Sequence, residues 1–129
     1  MKLDIDIAKY IGVRFKVHGR SLEEGFDCYG LQIALNKELG KELPDLEGYK
    51  RADDDDFNNN YVDILSQLDM KKVDDIQPTD ELLFYSGNKA VHIGMALGND
   101  LFIHCDRFGV RINKLSSYGR RYEVYRWQK

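Results

Sequence analysis

The sequence lacks the long apolar runs, the many cysteines and the large excess of one charge that mark several classes of protein. No apolar stretch approaches the roughly 18 residues of a membrane span, and the opening MKLDIDIAKYIG has aspartates where a signal peptide needs an apolar core. Two cysteines favour free thiols over a disulfide framework. A net charge of −3 argues against binding nucleic acid. We therefore expect synthesis in the cytoplasm without a signal peptide, and neither a membrane nor a nucleic-acid partner.

What is present fits a single domain spanning residues 1–129. The hydrophobic share of 43% and the charged share of 32% are ordinary for a globular protein. The charge is uneven, because residues 101–129 hold seven Lys or Arg against two Asp or Glu. This bias is typical of a solvated basic face, and it would also suit an anionic polymer or a carboxylate substrate.

The N-terminal part of the chain predicts two helices. Apolar spacing favours a short helix over residues 3–11, followed by a loop as far as Gly25. A second helix should begin after Asp27, which is a good N-cap residue, and should end at Gly40. The apolar face of this second helix consists of residues at helical intervals, Leu31, Ala34, Leu35 and Leu39.

The C-terminal part predicts strands separated by turn residues. Five apolar segments carry this pattern, at 82–86, 91–97, 101–105, 109–112 and 122–127. Short consecutive strands favour an antiparallel meander. The predicted fold class is therefore α+β, with N-terminal helices packed on an antiparallel sheet of about five strands.

Cys28 directly follows the N-cap, in the first turn of the second predicted helix. At this position the helix macrodipole and the unpaired backbone N–H groups stabilise a thiolate. The same N–H groups can hold an oxyanion when the thiolate attacks a carbonyl. Strand alternation, by contrast, turns the other cysteine, Cys105, toward the core. Cys28 is therefore the candidate nucleophile.

A nucleophilic cysteine needs a base, and the base needs a partner that orients it. Strand alternation puts His92 on a face of small residues, over which a helix could lie closely. We expect Leu97 to pair with Leu101 across the intervening turn. In that register Gly94 lies opposite His104, and the two histidines become diagonal neighbours that could share a hydrogen bond. A shift of one residue would put them on opposite faces.

The pattern of residues leaves three interpretations open. Cys28, His92 and His104 could form a catalytic set, could be unrelated structural residues, or could bind zinc. Zinc is the weakest interpretation because no local ligand pair such as CxxC accompanies them, so neither a metal nor a cofactor is predicted. His18 lies in a predicted loop and has no assigned role.

Three segments also carry a family resemblance. IGVRFKVHGRSLEEGFDCYGL is similar to a glycine–aromatic–glycine loop leading into Asp-Cys-Ser-Gly, and QPTDELLFY resembles a strand that starts with Pro-Gly-Asp-Leu. VHIGMALGNDLFIH resembles His-Val-Gly-Ile-Tyr-Leu-Gly followed by Phe-Ile-His. In this order they resemble the NlpC-type cell-wall peptidases, cysteine enzymes that cut peptidoglycan stem peptides. The resemblance covers residues 10–127 and implies the papain-like NlpC-type fold.

The resemblance implies a role for each candidate residue. Cys28 would be the nucleophile, and its backbone N–H would form part of the oxyanion hole. His92 would be the general base and acid, and His104 would orient it. The implied substrate-binding residues are those flanking the nucleophile and one that stands where the family often has a tyrosine: Asp27, Tyr29 and Phe15.

The implied substrate is a peptidoglycan stem peptide with γ-D-glutamyl linkages, cut through a thioester intermediate without a cofactor. Tyr29 in place of the usual serine, and GVRINKL after the last histidine, resemble the branch found in phage tail and prophage proteins. That branch implies phage tail proteins as partners, and an enzyme carried by a virion or delivered to the cell wall. Two alternatives stay open: an amidase or acyltransferase acting on another substrate, and a non-catalytic tail or scaffold component of the same fold.

Overall fold

The computed structural model describes residues 5–45, 65 and 68–128, in which a helix packs on a six-stranded antiparallel sheet. The helix, α1, is Cys28–Glu38. A short hairpin precedes it, with strands β1 Arg20–Ser21 and β2 Gly25–Phe26. The strands of the large sheet are β3 Met70–Val73, β4 Glu81–Ser86, β5 Lys89–Gly98, β6 Leu101–Asp106, β7 Gly109–Lys114 and β8 Arg121–Trp127. The predicted α+β class is confirmed.

Both predicted ends of α1 are confirmed. Asp27 is the N-cap, and its Oδ1 accepts a hydrogen bond from the Gly30 N–H at 2.7 Å. The helix ends at Glu38, and Gly40 then adopts φ +76°, a conformation that glycine reaches without strain. Local sequence chemistry therefore sets where the helix begins, and with it the position of Cys28.

The predicted helix over residues 3–11 is wrong for the part that the structure describes. Residues Ile7–Lys9 form a single 3₁₀ turn. The chain then extends along the end of β7, because the Gly12 N–H donates to the Val110 carbonyl at 2.9 Å. The Val110 N–H in turn donates to the Val13 carbonyl at 2.9 Å. Pairing with the sheet thus overrides the local helical pattern. The segment predicted as a loop up to Gly25 also contains the β1–β2 hairpin.

All five predicted strands are present, but their arrangement differs from a simple meander. The order in the sheet is β3-β8-β4-β5-β6-β7, so the meander holds for β4 to β7 and is wrong for β8. Strand β8 crosses back to pair with β4, where Val124 lies opposite Leu82. The sixth strand, β3, was not predicted because it is a short edge strand whose two central residues, Lys71 and Lys72, are exposed.

The two faces of the sheet support different structures. Met95, Ile103 and Cys105 point toward α1 and pack with Leu31 and Leu35. Burial of this apolar face, which is roughly proportional to the area removed from water, is what holds the helix in place.

The opposite face, which carries Gly94 and Ala96, does not receive the helix, and the prediction that a helix would lie over it is wrong. Aromatic side chains fill that space. Ala96 packs with Phe102 and Leu115, and an ideal Cβ at Gly94 would lie 3.1 Å from the Phe102 ring.

A buried carboxyl links α1 to the sheet. Glu81, on β4, is 0% exposed, and the side-chain amide of Asn36 donates to it. The Gln32 amide, with its NH₂ facing the carboxyl, donates to the two oxygens at 3.2 and 2.9 Å. The Trp127 indole N–H donates to the Asn36 oxygen at 2.9 Å and extends the network to β8. Burial raises the pKa of Glu81 to about 8, despite the hydrogen bond from Asn36.

We expect Glu81→Gln to remove a pH dependence of stability. The unfolded carboxyl has its ordinary pKa of about 4.3, so above that value the unfolded state has lost a proton that the folded state keeps up to about pH 8. The free energy of unfolding should therefore fall as pH rises through this window, by at most about 1.4 kcal/mol per pH unit. Urea denaturation between pH 6.5 and 8.5 should show this decline in the wild type and a flatter curve in Glu81→Gln.

The matched control is Glu123→Gln. The pKa of Glu123 is lowered, despite some burial, by hydrogen bonds from Tyr85 and Lys72, so this residue does not titrate in the same window. Its curve should run parallel to that of the wild type. A Glu81→Gln curve that also runs parallel would contradict the role given to Glu81.

Candidate active site

Cys28 is the first residue of α1, at the end where backbone N–H groups lack intrahelical partners. It is partly buried against a cluster that includes Tyr29, Ala90 and Ile93. Ala90 and Ile93 lie on β5, the strand that also carries His92. Cys28 therefore packs against a cluster to which the strand of the predicted base contributes.

His92 and His104 are in direct contact. His92 Nε2 lies 2.7 Å from His104 Nδ1, and the two rings are nearly perpendicular at 82°, with centroids 5.0 Å apart. The sequence predicted that these imidazoles would share one face and a hydrogen bond, and this geometry is confirmed.

The strand register that brings them together is also the one predicted. Met95 pairs with Ile103 and Ala96 with Phe102, and in that register Gly94 stands opposite His104. The predicted pair of Leu97 with Leu101 is wrong, since a bulge lets Gly98 take that position. The bulge lies between these two pairs and the turn, on the side away from His92 and His104. It therefore does not change the relative positions of the two histidines.

A third polar residue, which sequence reasoning missed, completes the chain of hydrogen bonds. His104 Nε2 lies 2.6 Å from Asn113 Oδ1. An amide oxygen only accepts, so His104 carries its proton on Nε2 and accepts from the His92 Nε2–H through Nδ1. Neutral His92 then has an unprotonated Nδ1, which is the form that a general base requires.

A sequence signal for Asn113 existed in the hairpin that joins β6 and β7. Its two-residue turn, Arg107–Phe108, fixes a register in which Phe102 lies opposite Asn113 and His104 opposite Arg111. In that register Asn113 becomes a diagonal neighbour of His104 on the same face.

The electrostatic environment keeps both imidazoles neutral. Burial lowers the pKa of His92, and the nearby His104 lowers it further. Burial likewise lowers the pKa of His104, and the Asn113 hydrogen bond opposes this shift. Both rings are therefore neutral at neutral pH, and the unprotonated Nδ1 of His92 is available to accept a proton.

Tyr118 covers the imidazole pair. Its ring centroid is 6.4 Å from that of His92 and 5.3 Å from that of His104. Burial raises the pKa of the Tyr118 phenol.

The three residues implied in substrate binding have structural contacts. Asp27 caps α1 and forms an ion pair with Arg20 at 3.1 Å. Tyr29 is 2% exposed, and its hydroxyl donates to the Pro44 carbonyl at 2.6 Å. Phe15 forms a bridge with β2, is half-buried and has no hydroxyl to donate. Their roles toward a substrate stay predictions.

Within residues 5–45, 65 and 68–128, no group of three or more His, Cys, Asp or Glu side chains is arranged to hold a metal ion. In the same part of the chain no helix is long and apolar enough to span a membrane. Neither Cys28 nor Cys105 is part of a disulfide bond.

Solved structures show the same fold. The NlpC/p60 domain of the peptidoglycan hydrolase SagA is 21% identical with a TM-score of 0.64, covering 92% of this chain and 93% of that one. NlpC2 from Trichomonas vaginalis is 24% identical with a TM-score of 0.63, covering 94% of this chain and 43% of that one. The peptidoglycan hydrolase RipB from Mycobacterium tuberculosis is 21% identical with a TM-score of 0.62, covering 92% and 59%. The chain thus spans about half the length of the latter two. No curated protein sequence matches it significantly.

A helix that begins with cysteine and packs on an antiparallel sheet with two linked imidazoles defines a papain-like cysteine peptidase domain. Residues 12–127, nearly the whole chain, match the profile of the NlpC/P60 family. The protein belongs to the NlpC/P60 family.

We expect iodoacetamide to modify Cys28 much faster than Cys105 near neutral pH. Cys105 is fully buried, its thiol donates to the Phe26 carbonyl at 3.1 Å, and burial raises its pKa to about 12. Cys28 is only partly buried and stands at a helix N-terminus, where a thiolate is favoured. Peptide mapping by mass spectrometry after timed labelling measures both rates, with the Cys28→Ala and Cys105→Ala variants as controls. Equal rates at the two thiols would count against an activated Cys28.

Proposed function

We propose that this protein is a cysteine endopeptidase that hydrolyses peptidoglycan stem peptides at γ-D-glutamyl linkages, using Cys28, His92 and His104. The observation that carries the proposal is the 2.7 Å contact between His92 Nε2 and His104 Nδ1. It orients a neutral imidazole, with Nδ1 unprotonated, on a strand that contributes to the cluster against which Cys28 packs. Membership of the NlpC/P60 family supports the proposal, and the structurally similar SagA and RipB are described as peptidoglycan hydrolases.

The reaction begins with proton transfer from the Cys28 thiol to Nδ1 of His92. The thiolate attacks the carbonyl carbon of the scissile amide, and the oxyanion accepts a hydrogen bond from the Cys28 backbone N–H. The His92 imidazolium then donates its proton to the leaving amine as the C–N bond breaks, which leaves a thioester. His92 next removes a proton from water, the resulting hydroxide attacks the thioester, and the proton returns to the Cys28 sulfur.

His104 and Asn113 act through His92. The amide oxygen of Asn113 keeps the His104 proton on Nε2, so that His104 Nδ1 accepts from His92. This fixes the His92 tautomer and ring angle and stabilises the imidazolium that forms during the reaction.

Association with phage tail proteins is part of the proposal and rests on the resemblance of Tyr29 and GVRINKL to the tail and prophage branch. In that setting a tail or another partner delivers the enzyme to the cell wall.

We expect the three proposed catalytic residues to differ in the severity of their loss. Cys28→Ala should abolish hydrolysis without unfolding the protein, and His92→Ala should be nearly as severe because both proton transfers are lost. His104→Ala should cost about 10- to 1,000-fold in kcat/KM, and His104→Gln should recover part of this, since its amide can accept the same hydrogen bond. The assay is incubation with purified peptidoglycan followed by mass spectrometry of the released muropeptides.

The effects in this series should not add, because the residues act as one unit. The Cys105→Ala variant, which changes the other thiol, should keep its activity if it folds. Full activity in His92→Ala would overturn the mechanism. Muropeptides cut at a bond outside the glutamyl linkage would overturn the assigned bond.

Asn113 gives a finer test of the orienting chain. Asn113→Ala should lower kcat by a smaller factor than His104→Ala, with little change in KM, because it affects only the tautomer of His104. Asn113→Asp should keep most of the activity, since a carboxylate oxygen accepts the same hydrogen bond. The kcat and KM of both variants on a soluble stem peptide measure this, and a loss confined to KM would instead indicate contact with the substrate.

A further inference from the structure

The segment that follows β7 lies on the face of the sheet that carries the two imidazoles. Its first part, Leu115–Ser117, forms a 3₁₀ turn, and Leu115 is buried in the apolar cluster of that face. The next residue, Tyr118, has its ring over the imidazole pair. We call residues 115–118 the strap. The mechanism proposed above gives the strap no role.

Other aromatic side chains fix the position of the Tyr118 ring. Its centroid lies 5.0 Å from that of Phe84 and 5.0 Å from that of Phe102, and it meets both rings edge-on. The Phe102 ring packs on His104 with centroids 4.6 Å apart, and the Phe84 ring packs on His92 at 5.9 Å. Of these three rings, Tyr118 is the one that contacts both imidazoles.

Hydrogen bonds from Asp100 tie the strap to the turn between β5 and β6. The Asp100 carbonyl accepts from the Leu115 N–H at 2.8 Å. The Asp100 carboxylate accepts from the Ser116 N–H at 3.0 Å and also from the Ser116 hydroxyl. Within the strap, the Tyr118 N–H donates to the Leu115 carbonyl at 3.2 Å. The turn therefore holds the backbone from which the Tyr118 ring projects.

The hydrogen-bond chain of the candidate site depends on the orientation of the His104 ring. A half-turn of this ring about its Cβ–Cγ bond would put carbon atoms where Nδ1 and Nε2 stand. His92 Nε2 would then lose its acceptor, and Asn113 would lose its donor. Water that reached either contact would offer other partners to the same atoms. In both cases the proton of neutral His92 is free to move to Nδ1, the nitrogen that has to act as the base.

From this arrangement we infer that Tyr118 is a positioning residue for His92 and His104, and that Asp100 holds it over them through the strap. The Tyr118 ring blocks rotation of His104 and keeps water from the contact between the imidazoles. It acts on the reaction through His92 and not through the substrate. The inference rests on the proposed function, in which His92 is the base.

Variants at position 118 test the role of the ring. Tyr118→Leu removes it and Tyr118→Phe keeps it. The control is Tyr122→Leu, because the Tyr122 ring also packs on Phe84, at 6.1 Å, but contacts neither histidine in the described part of the chain. On a soluble stem peptide, Tyr118→Leu should lower kcat about 10-fold with little change in KM, as loss of an orienting contact predicts. Tyr118→Phe and Tyr122→Leu should keep a kcat close to that of the wild type.

Variants in the turn test whether Asp100 acts through the strap. Asp100→Gly removes the carboxylate without strain, because Asp100 has φ +68° and glycine adopts this conformation readily. It should lower kcat by about 3- to 10-fold, again with little change in KM. Asp100→Asn should recover most of the loss, since its amide oxygen can accept from the Ser116 N–H. The control is Asn99→Gly, since Asn99 also has positive φ and its side chain forms no hydrogen bond with the described residues. It should keep the wild-type kcat.

Nitrogen-15 NMR of the imidazoles measures the positioning role without any substrate. In Cys28→Ala, both His92 and His104 should be protonated at Nε2 alone. Adding Tyr118→Leu or Asp100→Gly should produce signals of His92 protonated at Nδ1, whereas adding Tyr122→Leu or Asn99→Gly should not. A purely structural role of Tyr118 would lower the melting temperature and leave these signals unchanged.

Four results would overturn the inference. They are a wild-type kcat in Tyr118→Leu, equal losses in Tyr118→Leu and Tyr122→Leu, a loss confined to KM, and unchanged imidazole protons in a variant whose kcat has fallen. If Tyr118→Leu does not fold, the kcat and the imidazole protons of Asp100→Gly decide by the same criteria.

The NMR measurement also separates this inference from the proposed function. If the wild type hydrolyses no stem peptide but the imidazole protons move as expected in Tyr118→Leu, the positioning role stands and the proposed hydrolysis fails. If hydrolysis proceeds and Tyr118→Leu changes neither kcat nor the imidazole protons, the proposed function stands and the positioning role fails. Absence of both hydrolysis and any change in the imidazole protons would overturn both.

Discussion

The hydrogen bond between His92 and His104 requires one register of strands β5 and β6, and the whole candidate site depends on that register. Gly94 stands opposite His104, and an ideal Cβ there would lie 3.4 Å from the Cβ of His104 and 3.1 Å from the Ile103 carbonyl oxygen. A one-residue slip between these strands would send His104 to the face packed on α1 and away from His92. The irregular backbone between the two strands is confined to the turn at Asn99 and Asp100, both with positive φ, and to the bulge before it. No candidate catalytic residue lies in this part of the chain.

The position of Cys28 depends on a second constraint, the close approach of α1 to the loop before it. An ideal Cβ at Gly30 would lie 2.1 Å from the Gly19 carbonyl oxygen, so the helix start and this loop touch backbone to backbone. Asp27 strengthens the junction, since its Oδ2 accepts from the His18 N–H at 3.0 Å while its Oδ1 caps the helix. A nucleophile must be held within a fraction of an ångström of its base and its substrate. These contacts fix the end of the helix from which Cys28 projects.

The basic excess in residues 101–129 has a simple structural basis. Arg126 pairs with the buried Asp80 at 2.8 Å, which ties β8 to the start of β4. Arg111 pairs with Asp106, and Arg121 contacts Glu123 at 4.0 Å. Three of the seven basic residues in this segment therefore form ion pairs with carboxylates of the sheet region.

The sequence by itself determined the local features of this protein. The cap at Asp27, the stop at Gly40 and the five strands after Pro78 follow from capping chemistry and from the alternation of apolar residues. The strand alternation and the turn between β5 and β6 were enough to place His92 and His104 on one face. Only the tertiary structure decided which face receives α1 and where β8 inserts. It also decided that residues 5–12 form a single 3₁₀ turn and then pair with β7, in place of the predicted helix. These outcomes depend on contacts between segments far apart in the chain, and no periodicity within one segment encodes its distant partner.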